Sequence, residues 1–546
     1  MFEYSQDDTT STTDLDSSYT IETQTETIPV QPAQKRFRED LSAYSFQKFA
    51  ATYFMSNVSH QFSKRHLKTS LLDLSQQSQL SSQALWITIL RFMGDMGESK
   101  YENDDEEDSA TKTKRLNIMQ KLTSTLSKAT AKSKDFQDFL KFGNSERKMI
   151  SQTLRKKNKL PRELRQLIEN SAELEQYQEW LNQRSSHVEK LHFIVGHGIL
   201  RDELRDEIFC QICKQLNNNP NSISFKKGWI LMSLCIGCFP PSDNFELYLR
   251  QYIRNGPDLY APYCETRLDR TIQNGPRQQP PSWMELKSCR TTEPIVVTIN
   301  LMNEASVQIE IDSASTSEEI CIAVAKAIDL KDLLGFSLFI TIMNKVMSLG
   351  CEHQFIFDAI SSCEQFAKEQ GIAEKSVKWQ LYIQKEVFLP WHNPIDDPIA
   401  TDLIYNQITK GINYGDYVCT SQKDIAMIAA LCYFAEFGGK YDKNVMMKKL
   451  PEYLPKAVYR EETAPQWEVL VSSAFAKSRC VKEILPRIAA KEDVVFFAKI
   501  MWVLKFSRFF EVEKIDDGTS ENVFIFALNW SGVFLIDKQE QVLVSF

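Results

Sequence analysis

"ILRDELRDEIFCQICKQL" (residues 199–216) carries the pair Cys210-x-x-Cys213, and a second pair, Cys235-x-x-Cys238, sits in "WILMSLCIGCF" (229–239). His187, His192 and His197 lie just upstream. Two CxxC knuckles at this separation are a zinc signature, and a single one can be a redox motif. How this stretch is read therefore decides the fold. Set on a helix at about 100° per residue, Leu204, Ile208, Phe209, Ile212 and Leu216 share one apolar arc, with Cys213 at its edge and Cys210 on the opposite, polar side. The second pair lies in a strongly apolar run, where free Cys behaves as a small buried hydrophobe. Zinc knuckles present their thiolates from tight turns, and no Gly or Pro stands near Cys210 to make one. The spacing H-x4-H-x4-H does not hold the three histidines on one helical face. The pattern predicts core helices with structural cysteines, and neither a metal nor a cofactor is expected.

The surrounding chain supports a large multidomain protein. Its 546 residues allow roughly three or four domains, and 43% hydrophobic with 25% charged residues is ordinary globular composition. A net charge of −8 argues against a dedicated nucleic-acid binder. The N-terminus, "MFEYSQDDTTSTTDLDSSYT", lacks the apolar core of a signal peptide. The longest apolar runs, 229–239 and 425–435, are far short of the about 20 residues a spanning helix needs. Twelve scattered Cys then read as reduced thiols of a cytoplasmic protein. No HExxH, GxSxG, GxGxxG or GxxxxGK[ST] motif occurs, so no enzyme is expected.

Five segments follow from composition and period. Residues 1–38 are polar and read as disordered. Residues 39–290 form a helical domain in which "SQALWITILRFMGDM" is a helix ended by Gly94 or Gly97, interrupted by an acidic-then-basic solvated loop at about 99–115. At 291–392 the period changes: "PIVVTINLM" and "SVQIEID" make a hairpin, and Thr316 with Glu319 three residues on caps the next helix. That lobe reads as ubiquitin-like α+β. Residues 393–490 return to helix, and 491–546 are short strands broken by polar turns.

This order, with the wording inside each segment, resembles a myosin tail homology 4 (MyTH4) domain fused to a FERM domain, as in the tails of class VII unconventional myosins. The stretches that carry it include "LSAYSFQKFAATYF", "LWITILRFMGDM", "EKLHFIVGHGILRDELRDEIFCQICKQL", "YAPYCETRLDRT", "QPPSWMEL", "GFSLFITIMNKVMSLG", "KEVFLPWH" and "NWSGVFLIDKQEQVL". The resemblance implies a mainly α multidomain chain. The helical domain would be followed by a ubiquitin-like lobe, an acyl-CoA-binding-protein-like helical lobe and a partial pleckstrin-homology-like β lobe. It departs from the family in lacking a motor head and part of the last lobe. What it implies is a non-catalytic, cytoskeleton-associated tail that grips adaptor or scaffold proteins through their acidic segments, linking actin-based movement to cargo or membrane protrusions. Microtubules, actin filaments and peripheral membrane contact are further partners of such tails. The alternative is a FERM-type membrane–cytoskeleton linker without a motor, for which "RFFEVEKI" and "KSRCVKEILPRIAAKE" are the basic candidates.

The basic residues are the candidate site. "LRKKNKLPREL" (154–164) and "SKATAKSK" (127–134) are positive tracts in an acidic chain, and Lys226, Lys227, Arg250, Arg254, Arg267, Arg270 and Arg277 add seven cations to the second half of the helical domain. They read either as solvated helix faces or as a composite surface for carboxylates, which Arg pairs bidentately. Trp229, Tyr252 and Trp283 stand beside them as interface anchors or as core, with core expected for Trp229.

Overall fold

The computed structural model describes residues 24–30, 40–55, 58–98, 158–169, 174–343, 345–419, 421–514, 522–536 and 542–545. The expected loop at 99–115 and the tract 127–134 lie outside them, as does most of 1–38.

The helical domain contains α1 (Phe46–Tyr53), α2 (Gln76–Met93), α3 (Arg162–Glu169), α4 (Leu174–Asn182), α5 (His187–Leu200), α6 (Arg205–Leu216), α7 (Ser222–Ile236), α8 (Asp243–Arg254), α9 (Ala261–Asn274) and α10 (Trp283–Thr291). Local signals set their ends. Ser75 caps α2, and Gly94, at φ 89°, closes it, a left-handed position that suits a residue without Cβ. Capping boxes open α5 (Ser186 with Glu189) and α10 (Ser282 with Glu285). The helix α6 is the centre of the domain, packed against α2, α5, α7 and α8. Cys210 and Cys213 are both fully buried, which corrects the expectation of a polar side for Cys210. Neighbours cover α6 on every face, and its polar groups are matched inside: Glu207 accepts from the Leu71 and Leu72 amides at 2.9 Å each, from Ser82 Oγ at 2.6 Å and from Gln211 Nε2 at 2.9 Å.

The next lobe is a mixed six-stranded sheet in the order β1-β3-β2-β6-β4-β5, formed by β1 (Gln24–Pro29), β2 (Ile295–Asn300), β3 (Ser306–Ile311), β4 (Phe336–Ile342), β5 (Lys345–Gly350) and β6 (Trp379–Lys385). Helices α11 (Ser317–Ala327) and α12 (Ile356–Glu369) accompany it. The hairpin β2–β3 pairs Ile295 with Ile311, and Thr316 with Glu319 forms the expected capping box of α11. The strand β1 corrects the disorder expected of all of 1–38. It runs parallel to β3, buries Val30 beyond its end and ties the Val30 amide to Glu310 O at 3.1 Å. An otherwise unpaired sheet edge supplies the partner that the segment's own composition lacks.

The helical lobe comprises α13 (Pro398–Tyr414), α14 (Gln422–Phe437), α15 (Lys443–Tyr453), α16 (Ala464–Lys477), α17 (Arg479–Lys482) and α18 (Arg487–Met501). Helix α18 packs on α13 and α14 and buries Ala490, Val494, Val495 and Ala498, so the boundary expected at 490 belongs after Met501. This lobe and the ubiquitin-like one share a continuous apolar core, while the first helical domain has its own. The last lobe is an antiparallel sheet, β10-β9-β8-β7, of β7 (Arg508–Lys514), β8 (Asn522–Asn529), β9 (Gly532–Ile536) and β10 (Val542–Ser545).

Candidate partner-binding surface and the interdomain clamp

The seven predicted cations do not form one surface. All five arginines are engaged within the molecule, and two of them join the helical domain to the ubiquitin-like lobe. Arg270, on α9, donates from Nε to Asp312 Oδ2 at 2.8 Å and through both terminal nitrogens to Glu319 at 2.5 Å, a bidentate pairing that only a guanidinium makes. Glu319 is the same residue whose carboxylate accepts from the Thr316 amide at the start of α11. Burial alone would raise the Glu319 carboxyl, and the Arg270 contacts outweigh it and hold the group below its ordinary range. Beside it, Asn274 Nδ2 donates to Ala314 O at 2.8 Å.

Arg277 follows α9, completely buried. It contacts Glu285 closely and donates to Asp358 Oδ1 of α12 at 3.0 Å. Asp358 also accepts from the Gln278 and Gln279 amides at 2.9 and 3.0 Å. A third buried pair, Lys159 with Glu364 at 2.6 Å, lies on the same face, and Glu364 accepts from the Trp283 amide at 2.9 Å. Burial raises both Asp358 and Glu364, and Arg277 and Lys159 respectively pull them back. The proline-rich segment "NGPRQQPPSW" (274–283) also docks on α12: Ser361 Oγ donates to Pro280 O at 2.9 Å.

The remaining arginines brace the helical domain. Arg250 pairs with Asp269 at 2.6 Å and Glu246 at 3.0 Å, Arg254 with Glu265 at 2.6 Å. Arg267 stacks on Tyr263 at 3.4 Å. Lys226 is exposed and Lys227 half-buried on α7, and neither makes an ion pair among the described residues. Trp229 is core at 2% exposure, while Tyr252 and Trp283 are half-buried, Tyr252 donating to Cys213 O at 3.1 Å.

Sequence reasoning missed Asp312, Asp358 and Glu364, and saw Lys159 only as one charge of the basic tract 154–164. The available signal was a pair of carboxylates, Asp358 and Glu364, in the otherwise apolar "FIFDAISSCEQFA". Burial pushes the Cys210, Cys213 and Cys238 thiols well up and Cys264 up to about 12, opposite to what a thiolate ligand or nucleophile needs. Among the described residues no group of three or more His, Cys, Asp and Glu is placed to hold a metal ion. His197 instead contacts Phe193 O through Nδ1 at 2.8 Å and the Tyr177 hydroxyl through Nε2 at 3.3 Å.

Family models match in the same order as the lobes: a MyTH4 domain at residues 191–288, an RA-like domain at 293–387 and a myosin-X FERM PH-domain-like module at 506–546. The chain is similar to Drosophila melanogaster myosin-VIIa, 46% identical over 93% of this chain and 24% of that protein. It is also similar to mouse unconventional myosin-VIIb, 35% identical over 95% of this chain and 23% of that protein. It spans about a quarter of the length of these curated relatives. Its fold matches the human myosin 7b C-terminal MyTH4–FERM domain, solved in complex with the harmonin-a PDZ3 domain, with a TM-score of 0.57 over 94% of this chain and 90% of that one at 22% identity. A helical MyTH4 domain followed by a FERM-like unit is the architecture these matches share, and the chain belongs to the MyTH4–FERM tail class. Within it, the sequence is that of a class VII myosin tail.

Proposed function

We propose that this tail is a non-catalytic, cytoskeleton-associated platform that binds acidic segments of adaptor or scaffold proteins and couples a class VII myosin to cargo or to actin-rich protrusions. The observation that carries the reading is the clamp. Arg270, Arg277 and Lys159 fix the MyTH4 domain against the ubiquitin-like lobe, so a partner meets one preorganised surface rather than two tethered domains, which lowers the ordering cost of association. Of the seven cations, Lys226 and Lys227 make no ion pair among the described residues, and they are the residues that steer an acidic partner.

No helix of the described residues is long and apolar enough to cross a membrane, and the motor-free membrane linker has no specific observation in its favour. Arg479, in its basic candidate stretch, is paired with Asp493 at 2.8 Å. The reading is tested by titrating the tail with a polyglutamate peptide at several salt concentrations. Lys226→Glu with Lys227→Glu weakens binding about tenfold and flattens its salt dependence, in line with the loss of two steering charges. Unchanged affinity would exclude this face.

A further inference from the structure

Helix α11 begins against a turn that three lobes share. Ser317, its first residue, shares its hydroxyl proton between Leu349 O at 2.9 Å and Glu352 O at 2.8 Å. The Ser317 and Glu318 amides donate to Gln354 O and Glu352 O at 2.9 and 3.0 Å. These bonds fasten the first turn of α11 to residues 349–354, at and just past the end of β5. Glu352 of that turn accepts from Arg508 of β7 at 2.7 Å, and His353 Nε2 meets Asn274 O of α9 at 2.6 Å. Cys321 stands one helical turn after Ser317 on the same face. A helical side chain leans toward the N-terminus of its helix, which aims this thiol at the fastened turn, where Cys351 lies. The Cys321 S–H donates to Cys351 Sγ. Cys321 is fully buried and Cys351 half-buried, so a reagent reaches the pair from the side of Cys351.

We propose that Cys321 and Cys351 are a peroxide-sensitive dithiol that closes reversibly to a disulfide. Side chains already in contact need only rotations about their Cα–Cβ bonds to approach the S–S separation of about 2.05 Å. The hydrogen bond from Cys321 holds the Cys351 thiol below its ordinary value, against the opposing effects of burial and of Glu318 and Glu352. The thiolate is the form that reacts with peroxide. In the first step the Cys351 thiolate attacks one oxygen of hydrogen peroxide and the O–O bond breaks. Hydroxide leaves and takes up a proton to become water, and Cys351 now carries a sulfenic acid. In the second step the Cys321 sulfur attacks Cys351 Sγ, the S–O bond breaks, and the hydroxyl departs with the Cys321 proton as a second water. The two sulfurs together give up two electrons, which the peroxide accepts, and a dithiol such as dithiothreitol reopens the bond by exchange. Of the other cysteines only Cys419 is half-buried, and burial pushes its thiol up to about 12; the rest are buried. The disulfide fastens the start of α11, which carries the Arg270 acceptor Glu319, to the turn that meets α9 and β7.

The test exposes the full chain, reduced and freed of reductant, to a small molar excess of hydrogen peroxide. The sample is quenched, unfolded with an alkylating reagent and digested for mass spectrometry. The expected product is one linked pair of peptides, containing Cys321 and Cys351 and lighter by two hydrogens than the free thiols, which dithiothreitol restores. Cys419 reacts about tenfold more slowly than Cys351, as its raised thiol requires. Cys351→Ser, a change at a half-buried position, removes the linked pair. Cys321→Ala also removes it and leaves Cys351 as a sulfenic acid that dimedone traps on longer exposure. No linked pair in the wild type, a pair built from other cysteines, or a Cys351 sulfenic acid that persists in the wild type overturns the proposal. Oxidation of Cys419 as fast as Cys351, or no dimedone adduct at Cys351 in folded Cys321→Ala, overturns Cys351 as the sulfur that peroxide attacks. Should Cys321→Ala fail to fold, the wild type and Cys351→Ser decide alone.

Discussion

Arg277 illustrates how a buried charge holds two domains together. Burial disfavours its cation, yet Glu285 and Asp358 keep it charged and hold it above the ordinary guanidinium range. Removing one partner of such a pair leaves the others uncompensated, at a cost of about 3–5 kcal/mol. Arg277→Ala is therefore expected to lower the urea midpoint of the tail by a corresponding amount, whereas Arg254→Ala, at a half-exposed pair with Glu265, shifts it by under about 1 kcal/mol. Composition made the arginines visible, but not their partners, because Asp312, Glu319 and Asp358 lie about forty to eighty residues away in sequence. A cation that meets a carboxylate only after folding reads in sequence like a free one. The seven-residue site was accordingly legible as a set of charges, whereas the internal carboxylates that Arg250, Arg254, Arg270 and Arg277 meet were not.

Helix α5 shows the same limit for one element. Its capping box fixes its start, and the interior of the helix is buried on all sides, His192 and His197 included. Burial lowers His192 to about 3 and His197 to about 4. Both lie below the unfolded value near 6.5, so the unfolded chain binds more protons between those limits. The stability these histidines contribute is complete above pH 6.5 and is lost as pH falls toward 4, on the order of 3 kcal/mol for each group. Melting temperature measured from pH 7.5 to 4.5 should fall across that window, and His192→Gln should make the fall shallower. Asp358 and Glu364, raised by burial, act in the opposite sense and do not produce this loss. Elements with local signals were legible: Thr316 with Glu319, Gly94, the β2–β3 hairpin. Those that depend on a distant neighbour were not, as with β1 on the edge of β3, Cys210 on a helix covered on every face, and α18 continuing past 490 because α13 and α14 bury its apolar side.

Across the whole molecule, the lobe order was readable because each lobe has its own period and turn chemistry, whereas the joint between lobes is written in single residues scattered over 205 positions, from Lys159 to Glu364. The account makes that joint central: MyTH4 and the ubiquitin-like lobe act as one body because α9 and its proline-rich continuation are clamped to α11 and α12. Replacing Arg270 by Glu sets a third carboxylate against Asp312 and Glu319, at a site where like charges cannot all remain ionised without cost. The most direct measurement is calorimetric unfolding of the full chain, wild type against Arg270→Glu, with circular dichroism at 20 °C to confirm that both remain folded. The account predicts one coupled transition for the wild type and, for Arg270→Glu, unchanged helicity with two separated transitions, the first at lower temperature. A single transition at the wild-type temperature in Arg270→Glu would contradict it.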